Sequence, residues 1–207
     1  MNQREVWDNI AGDWTKNRPN PFPDAVEFLK NKKGLVLDVG RGSGRNFVQI
    51  EGKFVGIDFS KRMLQLAENN AKKNNVKAYL ATSDALELPF KSDSFDTVVI
   101  SRTLHCVKWN KRKKFLEEII RVGKNNAHVF VSVWNKDQPR FANLKKEVYV
   151  PWPVKGKEYK RYYYLYSKDE LEALMKKFFK NVKVFWGKDK AFKKYPKNII
   201  AIARVAK

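Results

Sequence analysis

Two rhythms of apolar and polar positions alternate along this chain. GLVLDVG (34–40) is a short apolar run closed by glycine, the pattern of a strand buried on both faces. SGRNFVQIE (43–51) reads as a short helix, and KFVGIDFS (53–60) as a second buried strand. In SKRMLQLAENNAKKNN (60–75), Met63, Leu64, Ala67 and Ala71 recur at helical spacing behind Ser60, a residue suited to capping. VKAYLATSDA (76–85) and SFDTVVISRTLH (94–105) predict a third and a fourth strand. NKRKKFLEEIIRVG (110–123) predicts a helix stopped by Gly123, and AHVFVSVWN (127–135) a fifth strand. SKDELEALMKKFF (167–179) predicts a helix with Ser167 as cap and Glu170 at the capping-box position. NVKVFWG and NIIAIARVA then predict an antiparallel pair.

Alternation of this kind predicts an α/β fold: a doubly wound, seven-stranded, mostly parallel sheet. The expected organisation is a single domain over residues 1–207, with an N-terminal helical arm (1–33) and an insertion at 136–166. Within that insertion, VYVPWPVKGKEYKRYYYLY (148–166) fits neither rhythm. Pro151 and Pro153 remove two backbone donors, so no regular element is expected there.

Composition changes the picture through charge. Lys and Arg total 43 against 22 Asp and Glu, a net charge of +21. Lysine bias explains part of this, since 32 of the 43 are Lys, but acidic residues have not risen alongside. The balance favours a polyanionic partner such as nucleic acid. Cys106 is the sole cysteine, so an intrachain disulfide is excluded and its expected role is packing. The N-terminus has no apolar signal core, and no run reaches the roughly 18 apolar residues of a membrane span. The expectation is a soluble, cytoplasmic protein with no membrane association. No His/Cys spacing suggests a metal, and His128 reads as structural.

The chemistry gathers at LDVGRGSGRN (37–46), between the first strand and the element after it. Gly40, Gly42 and Gly44 allow a tight turn and close approach of a ligand to backbone. Asp38 beside the loop disfavours a phosphate lying on it and suits a cationic ligand group. Asp58, closing the second strand, can accept both hydroxyls of a ribose. Asp84, in Ser83-Asp84-Ala85, can accept from an adenine amino group. A glycine loop alone is shared with NAD-binding proteins, although here the third glycine falls at 44 and residue 45 is Arg.

As a set, D-x-G-x-G-x-G, the strand-two acid, S-D-A and LPF…SFDTVVIS resemble the class I S-adenosylmethionine-dependent methyltransferases, across roughly residues 34–135. The resemblance implies S-adenosylmethionine as cofactor. Asp38, Gly40 and Gly42 would line its methionine part, Asp58 its ribose, and Asp84 and Ala85 its adenine, with Gly44 and Ser101 also on the cofactor side. Arg41 departs from the small residue usual at its place, where only the backbone need face the cofactor.

The flanking segments resemble a narrower group, the tRNA wobble-uridine carboxymethyl methyltransferases. YVPWPVKG and RYYYLYSKDEL match that family's V-P-W and R-Y-Y-H segments, with Tyr164 in place of the histidine. The arm VWDNIAGDWTKNRPNPFPDAVEFL matches its N-terminal motif, with Phe22 where Trp is usual. SRTLHCVKWNKRKKFLEEIIRV matches its histidine-pair segment, with His105 at the first histidine and Cys106 replacing the second, and FVSVWN matches the end of strand five with Trp134. The implied reaction esterifies a carboxylate, which is already ionised near neutral pH and needs no base. Arg18, His105 and Arg161 are the candidates for holding it, with the cofactor's own carboxylate as the alternative partner of Arg18. Trp134, Trp152, Tyr162, Tyr163 and Tyr164 are the candidates for gripping a base from the tRNA anticodon loop, and Lys155, Lys157 and Lys160 for meeting its backbone, with core packing against the last helix as the alternative for two or three of the aromatics in 148–166. The resemblance further implies a small zinc-binding activator protein as partner. A small-molecule methyltransferase on the same scaffold is the alternative.

Overall fold

The computed structural model describes residues 1–191 and 195–207. Five strands, β1 (Lys33–Val39), β2 (Glu51–Asp58), β3 (Ala78–Thr82), β4 (Phe95–Ser101) and β5 (Gly123–Trp134), run parallel. With β8 (Phe179–Trp186) and β11 (Asn198–Val205) they form one seven-stranded sheet in the order β3-β2-β1-β4-β5-β11-β8. β11 is the antiparallel member, pairing with both β5 and β8. A short ribbon of β9 (Lys190–Ala191) and β10 (Tyr195–Pro196) precedes it.

Helices cover both faces. α2 (Pro23–Leu29) and α3 (Lys61–Lys73) bury Ala25, Leu29, Ala67 and Ala71 against Val36, Val99, Phe130 and Ile200. α4 (Arg112–Val122) and α5 (Lys168–Phe178) bury Phe115, Ile119, Leu171 and Met175 against Leu37, Val98, Val129 and Ala201 on the other face. Consecutive residues such as Val36 and Leu37 enter different cores. This is why the central strands read as continuous apolar runs. Ser60 caps α3 by accepting from Met63 N at 3.1 Å. Ser167 caps α5 by accepting from Glu170 N at 3.2 Å, but the Glu170 carboxylate turns to Tyr164 and Lys146 and so closes no capping box. Among the described residues no helix is long and apolar enough to cross a membrane.

Three expectations fail. Residues 43–50 form turns and irregular chain, not a helix, and Glu51 already belongs to β2. A helix would need the Ser43 carbonyl to accept from Phe47 N, but that carbonyl accepts from Asn70 Nδ2 at 2.6 Å and Phe47 N bonds to Gly44 O. β4 ends at Ser101, and His105 sits in a 3₁₀ turn over Leu104–Cys106. The 148–166 stretch is regular after all. It is an antiparallel hairpin of β6 (Glu147–Val154) and β7 (Lys157–Tyr164). Lys155 (φ 47°) and Gly156 (φ 77°) make its two-residue turn, the twist that suits a hairpin. Counted from the closing pair Val154 and Lys157, both prolines occupy positions that donate nothing into the ladder.

The N-terminal helix α1 (Gln3–Lys16) starts with a capping box between Asn2 and Glu5. It lies between this hairpin and α3. Tyr162 N donates to Gln3 Oε1 at 2.9 Å, and Trp152 Nε1 to Asp13 Oδ2 at 2.7 Å. On the other side Asp8 accepts from Ser60 Oγ at 2.7 Å and from Arg62 N at 3.1 Å. Val6, Ile10 and Tyr159 fill the space between.

Candidate active site

β1 and β4 end side by side at the carboxyl edge of the sheet, where open α/β sheets hold their ligands. The chain leaves β1 through Gly40 (φ 69°) and Gly42 (φ 57°). A side chain on Gly40 would strike Thr103, with its Cβ 2.3 Å from Oγ1. Above Gly42 there is open space, so its backbone faces the cleft. Gly42 N donates to Asp58 Oδ2 at 2.8 Å and Ser60 N to Oδ1 at 2.9 Å. Burial raises the Asp58 carboxyl to about 6 despite these two donors, with the charges of Asp38 and Asp8 adding to the rise. Each oxygen keeps a second lone pair, the arrangement a pair of vicinal hydroxyls requires.

Asp38 is buried and paired with the Arg41 guanidinium. Arg41 is therefore more than a backbone position. Its guanidinium lies 3.5 Å over the Phe47 ring, and its Nε and Nη2 find no partner among protein atoms. Burial raises the Asp38 carboxyl, and Arg41 opposes that rise. Ser101 lines the same cleft and its Oγ lies 3.3 Å from Asn46 Nδ2. Gly44 turns inward against Phe47, while Asp84 and Ala85 stand beyond the cleft wall at the exit of β3. Trp7 and Trp14 of α1 roof the cleft, whose volume is about 110 Å³.

A second cavity of about 750 Å³ shares Trp7, Trp14, Arg45 and Arg102 with the first. The sequence-derived candidates Arg18, His105, Trp134 and Tyr163 line it. Trp134 and Tyr163 stack with centroids 4.1 Å apart, and Arg140 lies over Trp134 at 4.6 Å. His105 is buried, and its Nδ1 accepts from Trp134 N at 2.9 Å. Burial first, then the charges of Arg102 and Arg112, push His105 down to about 3. The ring is neutral and its proton sits on Nε2. Cys106 is pushed up to about 12 by burial, so it is a thiol, and burial raises the Tyr163 phenol as well.

Four other candidates do not line this cavity. Arg161 is buried between Trp14 and Trp152, at 5.0 and 4.8 Å, and donates to Tyr163 OH at 2.9 Å. Trp152 packs on Trp14 and is tied to the arm. Tyr162 donates to Glu147 at 3.0 Å, and Tyr164 stacks on Trp109 and bonds Glu170. Conversely, sequence reading missed Arg45, Arg102, Arg140 and Asp189 in the cavity wall. A basic residue directly after β4, at the carboxyl edge, was the available signal for Arg102. Among the described residues no group of three or more His, Cys, Asp or Glu is placed to hold a metal.

A family model described as a methyltransferase domain matches residues 36–126. The chain is 30% identical over 183 residues to an uncharacterized protein of Methanocaldococcus jannaschii, covering 86% of this chain and 82% of that one. It is 25% identical over 200 residues to the tRNA (carboxymethyluridine(34)-5-O)-methyltransferase of Schizosaccharomyces pombe, covering 83% and 85%. The Xenopus tropicalis protein of that activity is 29% identical over 146 residues, 69% of this chain but 22% of the longer relative. Among solved structures, the Burkholderia thailandensis 1,6-didemethyltoxoflavin-N1-methyltransferase with bound S-adenosylhomocysteine superposes with a TM-score of 0.74 at 16% identity, covering 99% and 87%. A putative methyltransferase in complex with the Haloferax volcanii Trm112 activator gives 0.71 at 17% identity, covering 100% and 98%.

Proposed function

The chain belongs to the class I S-adenosylmethionine-dependent methyltransferases, and on that premise we propose that it methylates the carboxylate of a carboxymethyl-modified wobble uridine in the tRNA anticodon loop. One observation carries the reading: the character of the larger cavity. It holds four arginines and a neutral histidine, and its described lining groups are poorly placed to remove a proton. The His105 Nδ1 lone pair is occupied by Trp134 N–H, and the Asp189 carboxylate is engaged by Arg102 and Lys197. An acceptor suited to this cavity arrives already ionised, as a carboxylate does near neutral pH.

Bound S-adenosylmethionine supplies an electrophilic methyl, so that a C–O bond to the acceptor forms as the C–S bond breaks. Asp58 accepts the ribose hydroxyls, and Gly40 and Gly42 let the ligand approach their backbone. Asp38, which lines the cleft while paired with Arg41, would face the methionine ammonium, and the adenine would have to reach past the cleft wall to Asp84 and Ala85. At about 110 Å³ the roofed cleft is below the ~300 Å³ lower range of ligand sites, so a loaded cleft would need Trp7 and Trp14 of the arm to give way. On the acceptor side, Arg18 and the Nε2–H of His105 hold the carboxylate in line. Trp134 and Tyr163 offer the base a stacking wall, and Arg161 fixes Tyr163.

The net charge of +21 supports a tRNA partner. β3 is an edge of the sheet and carries the exposed Tyr79, which supports docking of a small zinc-binding activator along it. The test is transfer of labelled methyl from S-adenosylmethionine to bulk tRNA, with and without the activator, followed by mild base. Label released by base is expected. Label that resists base means methylation on nitrogen, carbon or ribose and overturns the ester. Absence of label in tRNA under all conditions points to a small-molecule acceptor.

A further inference from the structure

Four guanidiniums, those of Arg18, Arg45, Arg102 and Arg140, converge on one cavity whose described lining holds one carboxylate, Asp189. Arg45 is lowered to about 9 by burial and then by the like charges of Arg102 and Arg18, while Asp189 pulls the other way. Arg102 is held there at some cost. Its backbone sits in the left-handed region (φ 59°), which a non-glycine residue rarely adopts. Ser132 fixes that conformation by accepting Arg102 N at Oγ (2.9 Å) and at its carbonyl (3.0 Å). The guanidinium lies 4.2 Å over the Phe22 ring, which pins its plane from the arm side. Asp189 meets it from the loop after β8, with Arg102 Nη2 donating to Oδ2 at 3.1 Å and Lys197 Nζ to Oδ1 at 3.2 Å. The Asp189 side chain keeps 31% of its surface exposed, so it has room to withdraw.

We propose that Asp189 is a resident counter-ion, which keeps Arg102 in place until an anionic acceptor displaces it, and which therefore competes with the acceptor's carboxylate. Arg102 is then an acceptor-binding residue, and Asp189 sets how strongly charged the acceptor must be. A neutral acceptor that displaced the carboxylate would leave the Arg102 guanidinium without a counter-ion, while Asp189 keeps Lys197, so the exchange selects for anions. This rests on the reading that the acceptor is anionic.

The experiment reads anion binding and methyl transfer separately. Inorganic sulfate is titrated into the intact protein and followed by tryptophan fluorescence, since Trp14 and Trp134 line the cavity. Asp189→Asn and Asp189→Ser are each expected to tighten sulfate binding by about 3- to 10-fold, and Arg102→Ala to weaken it by at least as much. Asp189→Asn in the Arg102→Ala background should gain little. In the transfer assay Asp189→Asn lowers the KM for tRNA and leaves kcat near that of the native chain. Damage to the fold does not produce tighter binding, so the direction separates competition from scaffolding. Unchanged or weaker sulfate binding in both Asp189 variants overturns the proposal. If the native chain yields no base-released label, the ester reading fails instead, and the sulfate comparison still stands.

Discussion

The backbone N–H of Trp134 donates to Nδ1 of His105 at 2.9 Å, and this one bond fixes the tautomer of a buried ring. The proton is left on Nε2, so the histidine donates without titrating. With its pKa near 3, no step between pH 6 and 9 should depend on its ionisation. A pH profile of transfer over that range should show no limb that His105→Gln removes. His105→Ala deletes the donor and strands Trp134 N–H, and should cost about 2–3 kcal/mol in kcat/KM.

Asp58 is predicted to make cofactor binding sensitive to pH. In the folded chain its pKa is raised from 3.8 to about 6, so the folded state takes up a proton that the unfolded chain releases. Asp58 thus contributes stability below its ordinary value, and the contribution is lost as pH rises through 6. Accepting two hydroxyls requires the ionised form. Affinity for S-adenosylhomocysteine, measured by calorimetry, should fall about tenfold per pH unit below 6, and Asp58→Asn should flatten the curve.

The buried pair of Asp38 and Arg41 should respond asymmetrically to substitution. Arg41→Ala leaves a carboxylate buried without its partner and should cost about 3–5 kcal/mol in urea unfolding. Asp38→Asn with Arg41→Met removes both charges and should cost less than Arg41→Ala alone. An equal loss in the double variant would mean that the loop needs the charges themselves.

Neighbouring tyrosines are expected to part company. Tyr163 faces the larger cavity and accepts from Arg161, so Tyr163→Phe should raise the KM for tRNA. Tyr164 lies outside it, on Trp109 and Glu170. Tyr164→Phe should lower stability by about 1–2 kcal/mol and leave the KM near its native value.

The sheet was legible because β1, β4 and β5 are buried on both faces and read as unbroken apolar runs. The capping serines of α3 and α5 act locally and could be read locally. What escaped depended on distant partners. The turns at 43–50 replace a helix because a side chain 27 residues away takes the Ser43 carbonyl. The hairpin was hidden because a proline reads as a breaker until its register shows that its missing donor faces away from the ladder. Arg102 and Asp189, 87 positions apart, meet only through the sheet order.

The arm has a consequence for how the molecule assembles. Residues of α1 bond the hairpin across separations of 139 to 159 positions, the Asp13–Trp152 and Gln3–Tyr162 contacts among them. Contacts this remote carry the highest loop-closure cost and form late. During synthesis α1 must wait, with Val6, Ile10 and its tryptophans uncovered, until the hairpin has been made. The wall that roofs both cavities therefore arrives late, before only Asp189 and the residues around β11 that close the larger one, and a chain halted before residue 147 would hold the glycine loop but no finished pocket.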